Sequence, residues 1–171
     1  MARGKKHEKV ASDPNNRVIA TNRSARHDYA VLDTIEAGIM LRGSEVKSLR
    51  EAQVQIKEAH GRFDDGELYL VGMHITPYLT SATHDLAEPD RKRKLLLHRD
   101  QLSKWRMRVD IERLQLVPLS LYFKDGKAKV ELALAKGRTR GDKRQAIAER
   151  DARMDAEKEM GRFRKTAHRD D

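Results

Sequence analysis

The sequence predicts a mainly β protein with a few helices, a small antiparallel barrel carrying basic, disordered termini. Three observations carry that expectation. Two Asp-Gly turns, within Asp64-Asp65-Gly66 and Lys124-Asp125-Gly126-Lys127, are each flanked by strand-like runs, the pattern of a tight hairpin. Strand-like runs are short and numerous, whereas helical spacing is confined to a few stretches. At Lys136 the chain changes character: from there to Asp171 it holds almost no large apolar residues and has no core to offer a strand.

Met1–Arg23 has Pro14 and Asn15-Asn16 among basic residues and is expected to be a disordered leader. His27–Leu41 mixes β-branched and apolar residues (Tyr29, Val31, Leu32, Ile35) and is expected to form two strand segments bent at Gly38. Gly43–Arg50 reads as a short helix capped by Ser44, with Val46 and Leu49 turned inward. Ile56–Phe63 and Glu67–Ile75 flank the first turn, and Pro77, which cannot donate to a ladder, ends the second strand. Thr80–Pro89 reads as a loop. Arg91–Lys94 is a basic run abutting Leu95–Leu97. His98–Val109 has helical spacing, with Leu102, Trp105 and Val109 on one face. Gln115–Phe123 is a strand in which Pro118 marks an edge or a bulge, and Val130–Ala135 completes the last hairpin.

Beyond Gly141 come good helix formers such as Ala146, Ala148, Glu149, Arg150 and Ala152, and Asp142 stands where an N-cap would. The apolar row Ala148, Ala152, Ala156, Met160 is thin. The isolated arm is therefore expected to be frayed or disordered, and to become helical against an anionic surface. The expected organisation is a leader over 1–23, a barrel over 24–137 and a basic tail over 138–171.

The charge follows the same division. From Lys136 to Asp171 there are 12 Lys or Arg against 8 Asp or Glu, and from Met1 to Arg26 there are 7 against 2. The remaining body, His27–Ala135, holds 17 against 17, so the whole net charge of +9 sits on the two ends. Basic arms on a neutral body suggest a polyanionic partner, nucleic acid being the commonest. The alternative is that charged tails only keep a small domain soluble.

The body is of a size that folds alone around one core. With no cysteine, disulfides and thiolate metal sites are excluded, and a reducing compartment fits. No run approaches the roughly 18 apolar residues needed to span a bilayer, and Met1–Lys6 lacks the apolar run of a signal peptide, so a cytoplasmic location is expected. Seven histidines are scattered without an i,i+4 pair, and neither a P-loop, a dinucleotide fingerprint nor a nucleophile elbow occurs. His27-Asp28 resembles a base and its orienter, but neighbours on a strand point to opposite faces. No catalytic residue, metal or cofactor is expected. Arg91–Lys94, extended by Arg99, Arg106, Arg108 and by Lys124, Lys127 and Lys129, reads either as a solvated loop or as a phosphate-binding ridge for folded RNA. The strand aromatics Tyr29, Phe63, Tyr69, Tyr122 and Phe123 read as core, with one or two available to stack on bases.

Several ordered runs together resemble the SmpB family, small proteins that partner tmRNA in bacterial trans-translation. They are Asn22–Tyr29, Glu36-Ala37-Gly38, Gly43–Arg50, Met73–Tyr78, Arg93–His98, Leu119–Lys124, Lys129–Gly137 and Asp142-Lys143-Arg144. In family order over roughly residues 22–160, they are far more specific than any one motif. The resemblance implies an OB-like barrel that is not an enzyme and that binds the tRNA-like domain of alanine-charged tmRNA, delivered with elongation factor Tu. It implies entry into stalled ribosomes, with the protein standing in for the anticodon stem that tmRNA lacks. A monomer is expected. The RNA-facing positions implied are Glu36, Leu96, His98 and Lys129, with Glu36 suited to accept hydrogen bonds from base or sugar groups. His27 matches the residue facing the decoding centre. Lys136, Gly137, Asp142, Lys143, Arg144, Ile147, Glu149 and Arg150 match the segment that follows the empty mRNA channel.

The sequence departs from the family pattern at Ala148, often lysine in relatives, at Gln55 and His60, which replace Asn and Tyr, and at His98, which alternates with Asn. Two other readings stand beside this one: a general RNA-chaperone or ribosome-binding OB protein without a dedicated RNA, and a nucleic-acid-processing enzyme. A chaperone has no need of two distinct surfaces, and the enzyme requires a catalytic constellation that the sequence does not offer.

Overall fold

A computed structural model describes residues 13–78 and 88–167, without the side chains of Arg140 and of residues 161–167. The loop expected at Thr80–Pro89 therefore lies almost wholly outside the described residues, as do the first 12 and last four positions.

Strands and helices run in the order β1 (Arg17–Thr21), α1 (Ala25–Asp28), β2 (Tyr29–Ile39), α2 (Gly43–Arg50), β3 (Val54–Gln55), β4 (His60–Asp64), β5 (Glu67–Val71), β6 (His74–Ile75), β7 (Arg93–Leu96), α3 (Arg99–Glu112), β8 (Gln115–Lys124), β9 (Lys127–Gly137) and α4 (Arg140–Ala167). Pairing proceeds β8-β4-β5-β7-β2-β9, and β9 pairs again with β8, so six antiparallel strands close a ring. A short β3–β6 ladder forms a second sheet. The OB-like barrel expected from the strand pattern is present.

Both hairpins form as their Asp-Gly pairs require. Asp65 and Gly66 have φ of 48° and 79°, and Asp125 and Gly126 have 50° and 73°, the left-handed pair of a tight hairpin turn. The ring closes where β4 meets β8 at Gly61↔Leu116. A Cβ on Gly61 would sit 2.6 Å from that of Leu116, so only glycine lets the two strands meet there. The bulge expected at Pro118 falls between Pro118 and Ser120, where the register of β8 on β9 shifts.

The core is filled by alternate strand residues, Leu68, Leu70, Leu95, Leu121, Leu132 and Leu134, closed off by Leu49 of α2 and Trp105 of α3. The face predicted for α3 is the one that packs: Trp105 is buried, with Leu102 and Val109 half-buried against the same core. A smaller cluster, Val117, Leu119, Ala133 and Ala135, lies apart and is covered by Ala25 of α1 and by Tyr29.

Four expectations are corrected. Arg17–Thr21 belongs to strand β1, not to a disordered leader, because Val18-Ile19-Ala20 pairs with the far half of β8 and turns Ile19 and Ala20 to the core. β2 is one continuous strand; its irregularity lies between Val31 and Asp33, and at Gly38 the strand passes from pairing with β9 to pairing with β7 as well. α2 starts after Arg42 rather than at a Ser44 cap, since Glu45 accepts the Arg42 N–H at 2.7 Å; Glu45 and Ser48 turn inward with Leu49, while Val46 is half-buried. The helix-prone arm forms α4, and its start differs from the one expected. It is started by Thr139, whose carbonyl accepts the Lys143 N–H and whose hydroxyl accepts the Asp142 N–H, so Asp142 is the third helical residue, closing a capping box, rather than the cap.

Candidate RNA-binding surfaces

The β2–β9 ladder is the scaffold on which the singled-out residues are placed. At one end Gly38 faces Lys129 on β9 and Leu96 on β7, so Leu96, Gly38 and Lys129 form one row across three strands. Gly38 keeps this row tight, since a Cβ there would lie 3.3 Å from that of Leu96. Leu96 is 49% exposed despite its apolar side chain. Two residues along β2, on the same face, stands Glu36. An open pocket of about 380 Å³ adjoins the row, with Leu41, Val46 and Phe123 among its apolar walls and Lys127 and Lys129 at its edge. His98 follows β7 directly as the exposed N-cap of α3, its N–H donating to Gln101 Oε1 at 3.3 Å. Glu36, Leu96, His98 and Lys129, distant in sequence, thus share one region of the barrel.

Glu36 is more committed than its sequence position suggests. The Tyr122 hydroxyl donates to its Oε2 at 2.5 Å, Lys124 Nζ lies 3.1 Å from Oε2 and 3.3 Å from Oε1, and Lys129 Nζ lies 3.7 Å from Oε1. The Tyr122 hydrogen bond, then the Lys124 one, hold the Glu36 carboxyl below the usual glutamate range. Burial, followed by the Glu36 carboxylate, pushes the Tyr122 phenol above an ordinary tyrosine. Tyr122 and Lys124 therefore belong to this surface although no resemblance singled them out. The clue in the sequence was their i,i+2 spacing on a strand that pairs with β9.

At the other end of the same ladder Tyr29 faces Gly137, about 30 Å away at the usual strand rise. There the chain turns on Asn22, a buried residue whose Oδ1 accepts the Ala25 N–H at 3.2 Å and the Ser24 hydroxyl at 3.0 Å. That turn sets α1 over the small outer cluster and exposes His27. His27 and Asp28 lie in a helical turn, not on a strand, and their side chains do meet: Nδ1 is 3.1 Å from Asp28 Oδ1. The same Oδ1 accepts from Lys143 Nζ at 2.9 Å, and the Asp28 carbonyl accepts the Arg138 N–H at 2.9 Å. Lys143 first, and His27 second, hold the Asp28 carboxyl below the usual aspartate range. The base of the arm is thus tied to the turn bearing His27. Between them runs a groove lined by Arg23, Arg26, His27, Arg138, Arg150 and Arg153, with Ile147 and Glu149 from the arm. Lys136, Gly137 and Arg144 are exposed around it, and Asp142 accepts from the Thr139 N–H and hydroxyl.

The ridge expected at Arg91–Lys94 is divided, with its two arginines turned inward onto Glu45 and its two lysines paired at the surface. Arg93 is fully buried; its guanidinium donates to Glu45 Oε1 at 2.9 Å and to the carbonyls of Met73, Pro89 and Arg91 at 2.7, 2.8 and 2.9 Å. Arg91 adds a second fork on Glu45, at 2.9 and 2.5 Å. Burial works to raise the Glu45 carboxyl, but Arg91, the Arg42 amide and Arg93 together hold it below the usual range. Lys92 is paired with Asp64 at 2.6 Å and lies over the Tyr69 ring, and Lys94 is paired with Glu67 at 3.1 Å. On α3, Arg108 reaches Asp33 at 2.8 Å and Arg106 reaches Asp110 at 3.9 Å. Arg91, Arg93 and Glu45 thus form a brace inside the body.

Among the described residues no group of three His, Asp or Glu side chains is placed to hold a metal ion, and no helix is long and apolar enough to cross a membrane. Comparison with known proteins places the chain in a family. The chain is 51% identical over 154 residues to the SsrA-binding protein of Mycolicibacterium smegmatis, covering 90% of this chain and 95% of that one. It is 49% identical to the SsrA-binding protein of Saccharopolyspora erythraea, over 91% of this chain and 98% of the relative. A solved structure described as "tmRNA-SmpB: a journey to the center of the bacterial ribosome" contains a chain 47% identical to this one. It superposes with a TM-score of 0.59 over 75% of this chain and 93% of that one. A sequence model of the family described as SmpB protein matches residues 19–162, from the strand β1 well into the arm, and the chain belongs to that family.

Proposed function

We propose that this protein binds the tRNA-like domain of tmRNA and brings it to stalled ribosomes for trans-translation, without catalysing a reaction itself. The observation that carries the reading is the row Leu96, Gly38, Lys129 with Glu36 beside it, an exposed apolar and cationic surface of the kind that recognises folded RNA by shape. Relatives named as SsrA-binding proteins, and a structural neighbour described with tmRNA on the ribosome, support it. Glu36, Leu96, His98 and Lys129 form the tmRNA-facing surface. His27, Lys136, Gly137, Asp142, Lys143, Arg144, Ile147, Glu149 and Arg150 form the surface for the decoding centre and the mRNA channel. The β2–β9 ladder holds the two apart as a rigid spacer, which suits a protein replacing an anticodon stem.

In this reading the leader ends at the start of β1, residues 17–137 are the RNA-binding body and 138–171 the ribosome-binding tail. The protein works as a cytoplasmic monomer, meeting elongation factor Tu only through alanyl-tmRNA. The test is a pull-down of the tagged full-length protein followed by sequencing of the bound RNA. Enrichment of one tmRNA is expected. A broad spread of RNAs without that enrichment would favour the general chaperone.

A further inference from the structure

The carboxylate of Glu36 has two oxygens and about four places to accept a hydrogen bond. Three hydrogen bonds already use most of them, from Tyr122 and Lys124 on Oε2 and from Lys124 on Oε1, and Lys129 Nζ adds an ion pair 3.7 Å from Oε1. An acceptor committed in this way has little capacity left for base or sugar donors, the role expected for it from the sequence. It does hold two flexible ammonium groups and a phenol in one place on the outer face. Free lysines lose much rotamer freedom on binding, so a carboxylate that orders them beforehand lowers that cost. We propose that Glu36 is a positioning residue that acts on RNA through Lys124, Lys129 and Tyr122, which makes Lys124 and Tyr122 additional members of the RNA-contacting set.

This rests on the function proposed above and deepens it. The geometry gives each part a distinct task. Lys129 stands in the row with Leu96 and Gly38, Lys124 precedes the β8–β9 turn, and Tyr122 lies between them, opposite Lys129 on β8. Glu36, on β2, reaches Lys129 on the neighbouring β9 and Tyr122 and Lys124 on β8 beyond it, and so fixes the spacing of the two ammonium groups from a third strand. When a phosphate arrives, each lysine has donors to spare: an ammonium carries three, and the carboxylate uses only one or two. The pairs with Glu36 therefore need not break for RNA to be engaged.

The test measures binding of a transcript of the tRNA-like domain by the full-length protein across a range of salt. The variants are Glu36→Gln, Lys124→Met and the double variant. Glu36 is exposed at the surface, so the fold should survive each change, which circular dichroism checks. Glu36→Gln is expected to weaken binding about tenfold, the scale of re-ordering two long side chains. It should also flatten the slope of log K against log salt by about one to two, since each phosphate no longer neutralised removes about 0.9 from that slope. Lys124→Met added to Glu36→Gln should then cost little more, since both disable the same lysine at the RNA. Fully multiplicative losses with an unchanged slope would mean that Glu36 bonds the RNA directly, and would overturn the positioning role. A second readout needs no RNA: one of the four tyrosines should titrate late in the wild type and earlier in Glu36→Gln, and an unmoved phenol would equally overturn it. A wild type that does not prefer the tRNA-like transcript over other RNAs would instead strike at the proposed function, before any variant is compared.

Discussion

Many cations of the body are held by carboxylates, whereas among the described residues most of those in the arm are not. In the body Arg91 and Arg93 share Glu45, Lys92 meets Asp64, Lys94 meets Glu67, Arg108 meets Asp33, and Lys124 and Lys129 converge on Glu36. In the arm, among the described residues, Lys143 reaches back to Asp28 and Lys158 to Asp155, while Arg144, Arg150 and Arg153 stand exposed without an ion-pair partner. A paired cation is oriented and gives specificity of position; an unpaired one is free to release counterions along any polyanion. The same residue types therefore serve two purposes here. The body uses charge to build itself and to aim a few groups, and the arm keeps its charge for an outside partner.

This contrast is tested most severely by removing the carboxylate on which the body brace turns. Glu45→Ala leaves Arg93 buried and uncompensated, and is expected to destabilise the protein by about 3–5 kcal/mol in urea unfolding. Because the folded Glu45 carboxyl lies below its unfolded value, its contribution is present above about pH 4.5 and fades as pH falls toward the folded value. The wild type should therefore lose stability on acidification more steeply than Glu45→Ala does. Equal slopes would show that the pair contributes little.

Next in size is the seam of the barrel. Gly61→Ala puts a methyl group against Leu116 and is expected to cost about 1–3 kcal/mol, by thermal or urea unfolding. Smallest in stability, and largest in function, is removal of the arm. Truncation after Gly137 should leave the unfolding transition of the barrel within about 0.5 kcal/mol of the full chain, because the arm helix adds nothing to the main core. The same truncation should abolish tagging on stalled ribosomes in a reconstituted translation assay. Tagging that survives would return the arm to being a solubility device.

Legibility in the sequence follows the range of the interactions involved. The Asp-Gly turns, the Pro118 bulge and the buried stripe of α3 are local, set by residues a few positions apart, and each is found where its chemistry points. Strand β1 was hidden because three apolar residues among basic ones mean nothing without the edge of β8, some 100 residues later. The brace was hidden for the same reason: Glu45 reads as a helix-surface residue until Arg91 and Arg93, 46 and 48 positions away, are seen to meet it. The four positions Glu36, Leu96, His98 and Lys129 were found through resemblance. Tyr122 and Lys124 stood in the sequence among other aromatics and lysines, and their convergence on Glu36 emerges only when the register of three strands is known.

The division of labour between barrel and arm comes down to one binding experiment. Affinity for the tRNA-like domain of tmRNA is measured at one salt concentration for the full chain, the chain truncated after Gly137, and full-length Lys129→Ala. Truncation is expected to change the affinity by no more than about threefold, while Lys129→Ala weakens it about tenfold or more, the scale of removing one oriented charged group from an interface. If truncation proves the more damaging of the two, recognition resides in the free charges of the arm, and the barrel face described here is not the RNA-binding surface.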